Sequence, residues 1–107
     1  MANKASGVLT SSAVAVGGIT LDDSSQRIVF VISGLAAETV TVTGTVHAAV
    51  VTGGIRPIDV TTRAAAAASA LPNGSYLIDK LAYEKLTFTK SGATDPAVIS
   101  FAIVSAA

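Results

Sequence analysis

The sequence predicts an all-β fold, an antiparallel β-sandwich or jelly-roll-like barrel of six to eight strands. Three observations lead there. Short runs rich in Val, Ile, Thr and Phe recur along the 107 residues, and these residue types suit the pleated, half-buried surface of a strand. Several runs alternate apolar and polar residues with period two, as a strand does with one face on a core and one toward solvent. Gly, Pro, Asn and Asp stand between the runs, which is the punctuation of turns. The one Ala-rich stretch, residues 63–70, is marginal as a free helix in water. It reads as a short helical turn or a loose loop around residues 64–68.

Residues 1–25 are small and polar, with Gly17-Gly18 in their middle. Val8, Val14 and Val16 suit a short strand, but there is little bulk to fill a core, so the segment reads as an N-terminal arm or short strand. The sandwich itself is assigned to residues 26–107. Ile28, Val29, Phe30, Val31 and Ile32 are consecutive and mostly β-branched, which predicts a strand buried on both faces. Ser33-Gly34 ends it. In the following run Val40, Val42 and Val46 fall on one face, and Thr39, Thr41, Thr43, Thr45 and His47 on the other. Gly44 leaves a gap on the Val face, suggesting a bulge or a close neighbour. Residues 48–52 extend this strand and Gly53-Gly54 turns the chain. Residues 55–62 form the next strand, and Pro57 marks it as an edge or bulge because it cannot donate to a ladder.

Pro72-Asn73-Gly74 is a turn, with Pro presetting the first corner. Residues 75–79 and 84–90 are strands. In the second, Leu86 and Phe88 face in while Lys85, Thr87 and Thr89 face out. Residues 91–96 form a loop. Residues 97–104 close the fold, with Ile99, Phe101 and Ile103 on one face and Val98, Ala102 and Val104 on the other. A strand apolar on both faces is expected at the centre of a sheet or under a partner. The expected core is Ile28, Phe30, Val40, Val42, Leu86, Phe88, Ile99 and Phe101.

Composition bounds the function. Seven basic and seven acidic side chains cancel, and only 13% of residues are charged, against about one-quarter in an average domain. A neutral chain is ill-suited to nucleic acid or an anionic membrane, both of which attract basic surfaces. The longest apolar stretch, residues 28–37, is interrupted by Ser33 and Gly34 and is well short of the roughly 20 residues of a spanning helix. Ser6, Gly7, Thr10, Ser11 and Ser12 interrupt the apolar run that a secretory signal would need, and Asn73-Gly74-Ser75 is read as an accidental glycosylation match. With no Cys in the chain, disulfides and thiolate zinc sites are excluded. A chain with few ions and no net charge tends to associate, so a homo-oligomer or a larger assembly covering part of its surface is expected.

No catalytic, cofactor or metal site is expected. His47, the single histidine, lies on the Thr face of a strand and reads as structural or exposed. No Ser sits in a G-x-S-x-G elbow, and neither Gly pair has the spacing of a phosphate-binding loop. Asp22 and Asp23 are adjacent; neighbouring strand residues point to opposite faces, and the pair reads as a solvated acidic turn rather than part of a calcium site. Tyr76 and Tyr83 read as core or half-buried residues rather than a carbohydrate platform.

The stretch Ser33-Gly34-Leu35-Ala36-Ala37-Glu38-Thr39-Val40-Thr41-Val42 resembles a recurring phrase of small tailed-phage virion proteins of the capsid decoration (cement) type. The downstream order of Gly74-Ser75-Tyr76, Glu84-Lys85-Leu86-Thr87-Phe88 and an alternating final strand resembles them as well. The similarity covers roughly residues 26–104; an Asp-Gly-…-Trp hairpin common in those proteins is missing. The resemblance implies a non-enzymatic virion protein on the capsid surface, with the major capsid protein as partner. A tail- or fibre-associated module recognising a host glycan is the alternative. Val50, Val51, Val98, Ala102 and Val104 are the expected partner contacts, because their strands carry apolar side chains on two faces.

Overall fold

The computed structural model describes residues 3–21, 25–46, 49–51, 55–79 and 83–105. These residues form nine strands: β1 (Asn3–Ser11), β2 (Ala15–Thr20), β3 (Ser25–Ser33), β4 (Val40–Val46), β5 (Ala49–Val51), β6 (Ile58–Asp59), β7 (Gly74–Asp79), β8 (Lys85–Lys90) and β9 (Ala97–Ser105). There is no helix among the described residues. One sheet has the order β1-β9-β3-β7-β6 and the other β2-β8-β4-β5, all pairs antiparallel. The two sheets share one apolar core, which makes the fold an antiparallel β-sandwich.

Alternation places the core as the sequence implies. Val40, Val42, Leu86, Phe88, Ile28, Phe30 and Ile99 are fully buried. The Phe30 and Phe88 rings meet edge to face at 5.2 Å, joining the two sheets, and Tyr76 lies 5.5 Å from Phe30 on the other side. Burial, with the Asp59 carboxylate adding to it, raises the Tyr76 phenol above its ordinary value. It therefore stays a neutral donor, to the Pro72 carbonyl at 2.8 Å. The gap at Gly44 is filled by a close neighbour: a Cβ there would lie 2.5 Å from the Tyr83 ring.

Several expectations are corrected. Of the two readings of residues 1–25, arm or short strand, the described residues take the strand: β1 pairs with β9 along most of its length and β2 pairs with β8. Their small side chains fill little of the core, but their backbones complete both ladders, and that brings the strand count to nine. Residues 49–51 do not extend β4; they return beside it, with Gly44 opposite Val51 and Val46 opposite Ala49. Within residues 55–62 only Ile58 and Asp59 are strand, because Asp59 turns the chain by accepting the Thr61 and Thr62 amides on its carboxylate. β3 is buried on one face only: Ile28, Phe30 and Ile32 point inward, while Val31 is 41% exposed. Phe101 is half-buried rather than central, with its ring over Gly7 of β1. The final strand is central as expected, flanked by β1 and β3.

The Ala-rich stretch is neither helical nor loose. It seals one side of the sandwich. Asp59 donates its amide to the Ala64 carbonyl, Ala66 donates to Pro57, Val42 donates to Ala68, and Val40 and Leu71 exchange bonds. Small side chains let this segment lie close against both sheets. Ala68 and Leu71 join the core.

Candidate functional site

The densest polar cluster lies at one end of the sandwich, where residues 34–39 meet residues 91–96. Period-two alternation along β8 turns Lys90 inward after Leu86 and Phe88, and its side chain is completely buried. Its ammonium lies 3.3 Å from Glu38 Oε1 and donates to the Asp95 carbonyl. The Glu38 carboxylate accepts the amides of Thr94 at 2.8 Å and Asp95 at 3.0 Å. Asp95 Oδ2 answers by accepting the amides of Ala36, Ala37 and Glu38 at 2.8–2.9 Å. Asn73 adds a two-way bond to Leu35.

Those bonds set the ionisation of the two acids. Desolvation pushes the Glu38 carboxyl up, but the Thr94, Asp95 and Lys90 donors together bring it below its ordinary value. Asp95 is held below its ordinary value by the Ala37, Glu38 and Ala36 amides, with Lys90 helping against desolvation. Among the described residues no buried side-chain nitrogen or oxygen is left without a partner. Both oxygens of Glu38, Oδ2 of Asp95 and the Lys90 ammonium are engaged by the two loops. The cluster is a reciprocal clamp on the backbone.

The outer face of the five-stranded sheet is different. One cross-strand row runs Ser6, Ala102, Val29, Leu77, Ile58, and the next runs Val8, Ser100, Val31, Ser75. Neither row contains a charged side chain, and Val8 is 60% exposed. Ordinary soluble sheets put charge on such a face. The outer face of the four-stranded sheet carries a threonine array instead, with Thr41, Thr43 and Thr45 opposite Thr89, Thr87 and Lys85. All five aromatic side chains, Phe30, Phe88, Phe101, Tyr76 and Tyr83, are buried or half-buried.

No family model and no curated protein sequence matches the chain. The fold is similar to that of a solved phage-derived protein. The crystal structure of the SPBc2 prophage-derived protein YomS aligns over 98% of this chain and 99% of its own, with a TM-score of 0.65 and 11% sequence identity. At that identity the likeness to YomS establishes a common fold and transfers no residue roles.

The predicted contact residues do not form one patch. Val98 and Ala102 are half-buried on the outer face of the five-stranded sheet, where Val98 lies opposite Ser33 and Thr10. Val50 belongs to the other sheet, opposite Thr45 on its edge strand, and is 69% exposed. Val51 and Val104 have their backbones in β5 and β9; their side chains lie outside the described residues, as do Asp22, Asp23, His47 and Gly53-Gly54. Sequence reasoning missed the clamp and the β3 part of the two charge-free rows. The inward register of Lys90 and the exposed half of the Ile28–Ile32 run were the available signals.

Proposed function

We propose that this chain is a non-enzymatic structural protein of a bacteriophage particle, a decoration or cement protein that binds the major capsid protein on the outer surface of the head. The observation that carries the reading is the pair of adjacent charge-free rows on the outer face of the five-stranded sheet, with Val8 and Val31 exposed and Arg27 standing in the row beyond them. Apolar area removed from water stabilises by roughly 25 cal/mol per Å². Association entropy offsets much of that at a single site, and a lattice of equivalent sites restores it through avidity. The clamp keeps the loops at one end of the sandwich ordered before binding, which lowers the entropic cost of docking. The end-to-end likeness to a prophage-derived fold supports a phage origin. A glycan-binding tail module would stack sugars on exposed aromatic rings, and the rings here face the core.

Co-sedimentation with heads stripped of accessory proteins tests the reading. Wild type should pellet with heads, and Val31→Asp and Val98→Asp should abolish pelleting with their melting temperatures nearly unchanged, because an unpaired charge is costly only once buried. Loss on Val50→Asp alone would move the contact to the four-stranded sheet. Wild type that ignores heads and binds host polysaccharide overturns the decoration role in favour of the glycan module.

A further inference from the structure

We infer that two copies of this chain pair through β1, edge to edge and antiparallel, to form one continuous ten-stranded sheet. An edge strand offers unpaired backbone donors and acceptors, and soluble proteins protect such edges by shortening, bulging, charging or covering them. Three of the four sheet edges here are protected. β6 has two residues, follows Pro57, and is covered by the Ala64–Ala66 backbone through the Ile58–Ala65 bridge. β5 has three residues. β2 is interrupted by a register shift between Ala15 and Gly17, where Gly17 has φ +150°. β1 has nine residues, no proline, and no charge from Ala5 to Ser11. Its ladder shifts only between Asn3 and Ala5, and no other described strand lies on its outer side.

Side-chain sizes select the occupant and the register. On the solvent face Val8 is 60% exposed between Ser6 and Thr10, which are also exposed. A two-fold axis at Val8 sets Val8 against its own copy and Ser6 against the copy's Thr10. On the inner face the same axis sets Gly7 against the copy's Leu9. Gly7 has only the Phe101 ring over it, 3.2 Å from where a Cβ would stand, and Phe101 is half-buried. Leu9 is also half-buried and packs against the core. The inner face of β1 is already packed within its own copy, Phe101 over Gly7 and Leu9 against Gly17, so a leucine opposite a glycine brings no bulk against bulk across the axis, and the edge is compatible with its own copy. The axis works in either ladder parity, since a residue on a two-fold can sit in a hydrogen-bonded or a non-hydrogen-bonded pair. The outer faces of both copies then become one surface of twice the width. The pairing goes beyond the decoration reading and does not require a head.

The test uses the isolated full chain. Sedimentation equilibrium should give twice the 10.6 kDa chain mass. The chain has no Cys, so Val8→Cys introduces a single thiol. Paired residues sit about 4.5–5.5 Å apart between Cα atoms, within disulfide reach, and mild oxidant should convert most of this variant to a covalent dimer. Val50→Cys, more exposed still on a different edge, should stay monomeric on a denaturing gel. Val8→Lys sets like charges opposite each other and should halve the native mass while the melting temperature of the folded chain is kept. A wild-type monomer at 100 µM (about 1 mg/ml), a trimer, an undiminished dimer in Val8→Lys, or equal cross-linking of the two Cys variants would each overturn the pairing. Because no head is present, these outcomes leave the decoration reading to its own experiment.

Discussion

Removing the Phe88 ring tests the packing of the sandwich most directly. Phe88 is fully buried, and its ring is the partner that Phe30 meets across the two sheets. Phe→Ala at such a site removes the transfer free energy of the ring and leaves a cavity, which together cost about 3–5 kcal/mol. The lost edge-to-face contact, worth about 0.5–1.5 kcal/mol, places Phe88→Ala toward the upper end. Phe101 gives the internal comparison, since it is half-buried and leans on Gly7 at the periphery. Its truncation should cost about 2 kcal/mol, in proportion to the smaller area returned to water. At about 4 °C per kcal/mol for a chain of this length, Phe88→Ala should lower Tm by about 12–20 °C and Phe101→Ala by about 8 °C. Thermal melts followed by circular dichroism, with urea titrations to confirm an unchanged m-value, measure both. Equal losses in the two variants, or a Phe88→Ala melt within a few degrees of wild type, would refute the assignment of one inner and one peripheral ring.

The clamp predicts acid sensitivity. Glu38 and Asp95 are both held below their ordinary values in the folded chain, so their contribution is complete above the unfolded values and is lost as pH falls through the folded ones. Tm measured across pH should be flat near neutrality and fall from about pH 4 downward, and the fall should be shallower in Asp95→Asn; an identical acid limb in that variant would count against the clamp. Gly34 has φ +86°, and a Cβ there would fall on the Pro96 carbonyl. Gly34→Ala should therefore destabilise by about 1–3 kcal/mol or more, read from urea midpoints, with no change expected if the backbone there were ordinary. Asn73→Ala loses both bonds to Leu35 and should cost about 0.5–1.5 kcal/mol. Faster amide exchange at Leu35 than in wild type is the companion readout.

The parts of the fold that were legible in the sequence are those where side-chain chemistry alternates. Thr41 to Thr45 and Lys85 to Thr89 announced their faces, and the inward residues Val40, Val42, Leu86 and Phe88 are the centre of the core. The strands β1 and β2 were only partly legible: Val8, Val14 and Val16 suited a short strand, but a strand of Ser, Gly, Ala and Thr contributes backbone rather than bulk, and its membership depends on what β9 and β8 offer it. The clamp was hidden for another reason. Glu38 and Asp95 are 57 positions apart, and each alone reads as a solvated loop charge. Only Lys90, falling on the inward parity of β8, hinted that an ion had to be satisfied inside. The two charge-free rows were half visible: the closing strand showed apolar residues on two sides, whereas the Ile28–Ile32 run reads as wholly internal although β3 is covered on one side only.

The position of β9 between β1 and β3 has a consequence for how the chain is made. Ser11 lies opposite Ala97, and Ser33 lies opposite Val98, so an interior strand of the five-stranded sheet leaves the ribosome after the other eight described strands. Until it emerges, β1 has no ladder at all and β3 has one neighbour, β7. The four-stranded sheet can assemble earlier, since β8 is already present to join β2 to β4. Joining the first strand to the last demands the longest loop closure the fold contains, which slows folding. Nascent chains therefore pass through an interval in which two strands with few charges stand open. On a polysome, where several ribosomes translate one message side by side, that interval is when a neighbouring copy's β9 inserts most readily in place of the chain's own, so exchange of β9 between copies is the misassembly this topology most invites.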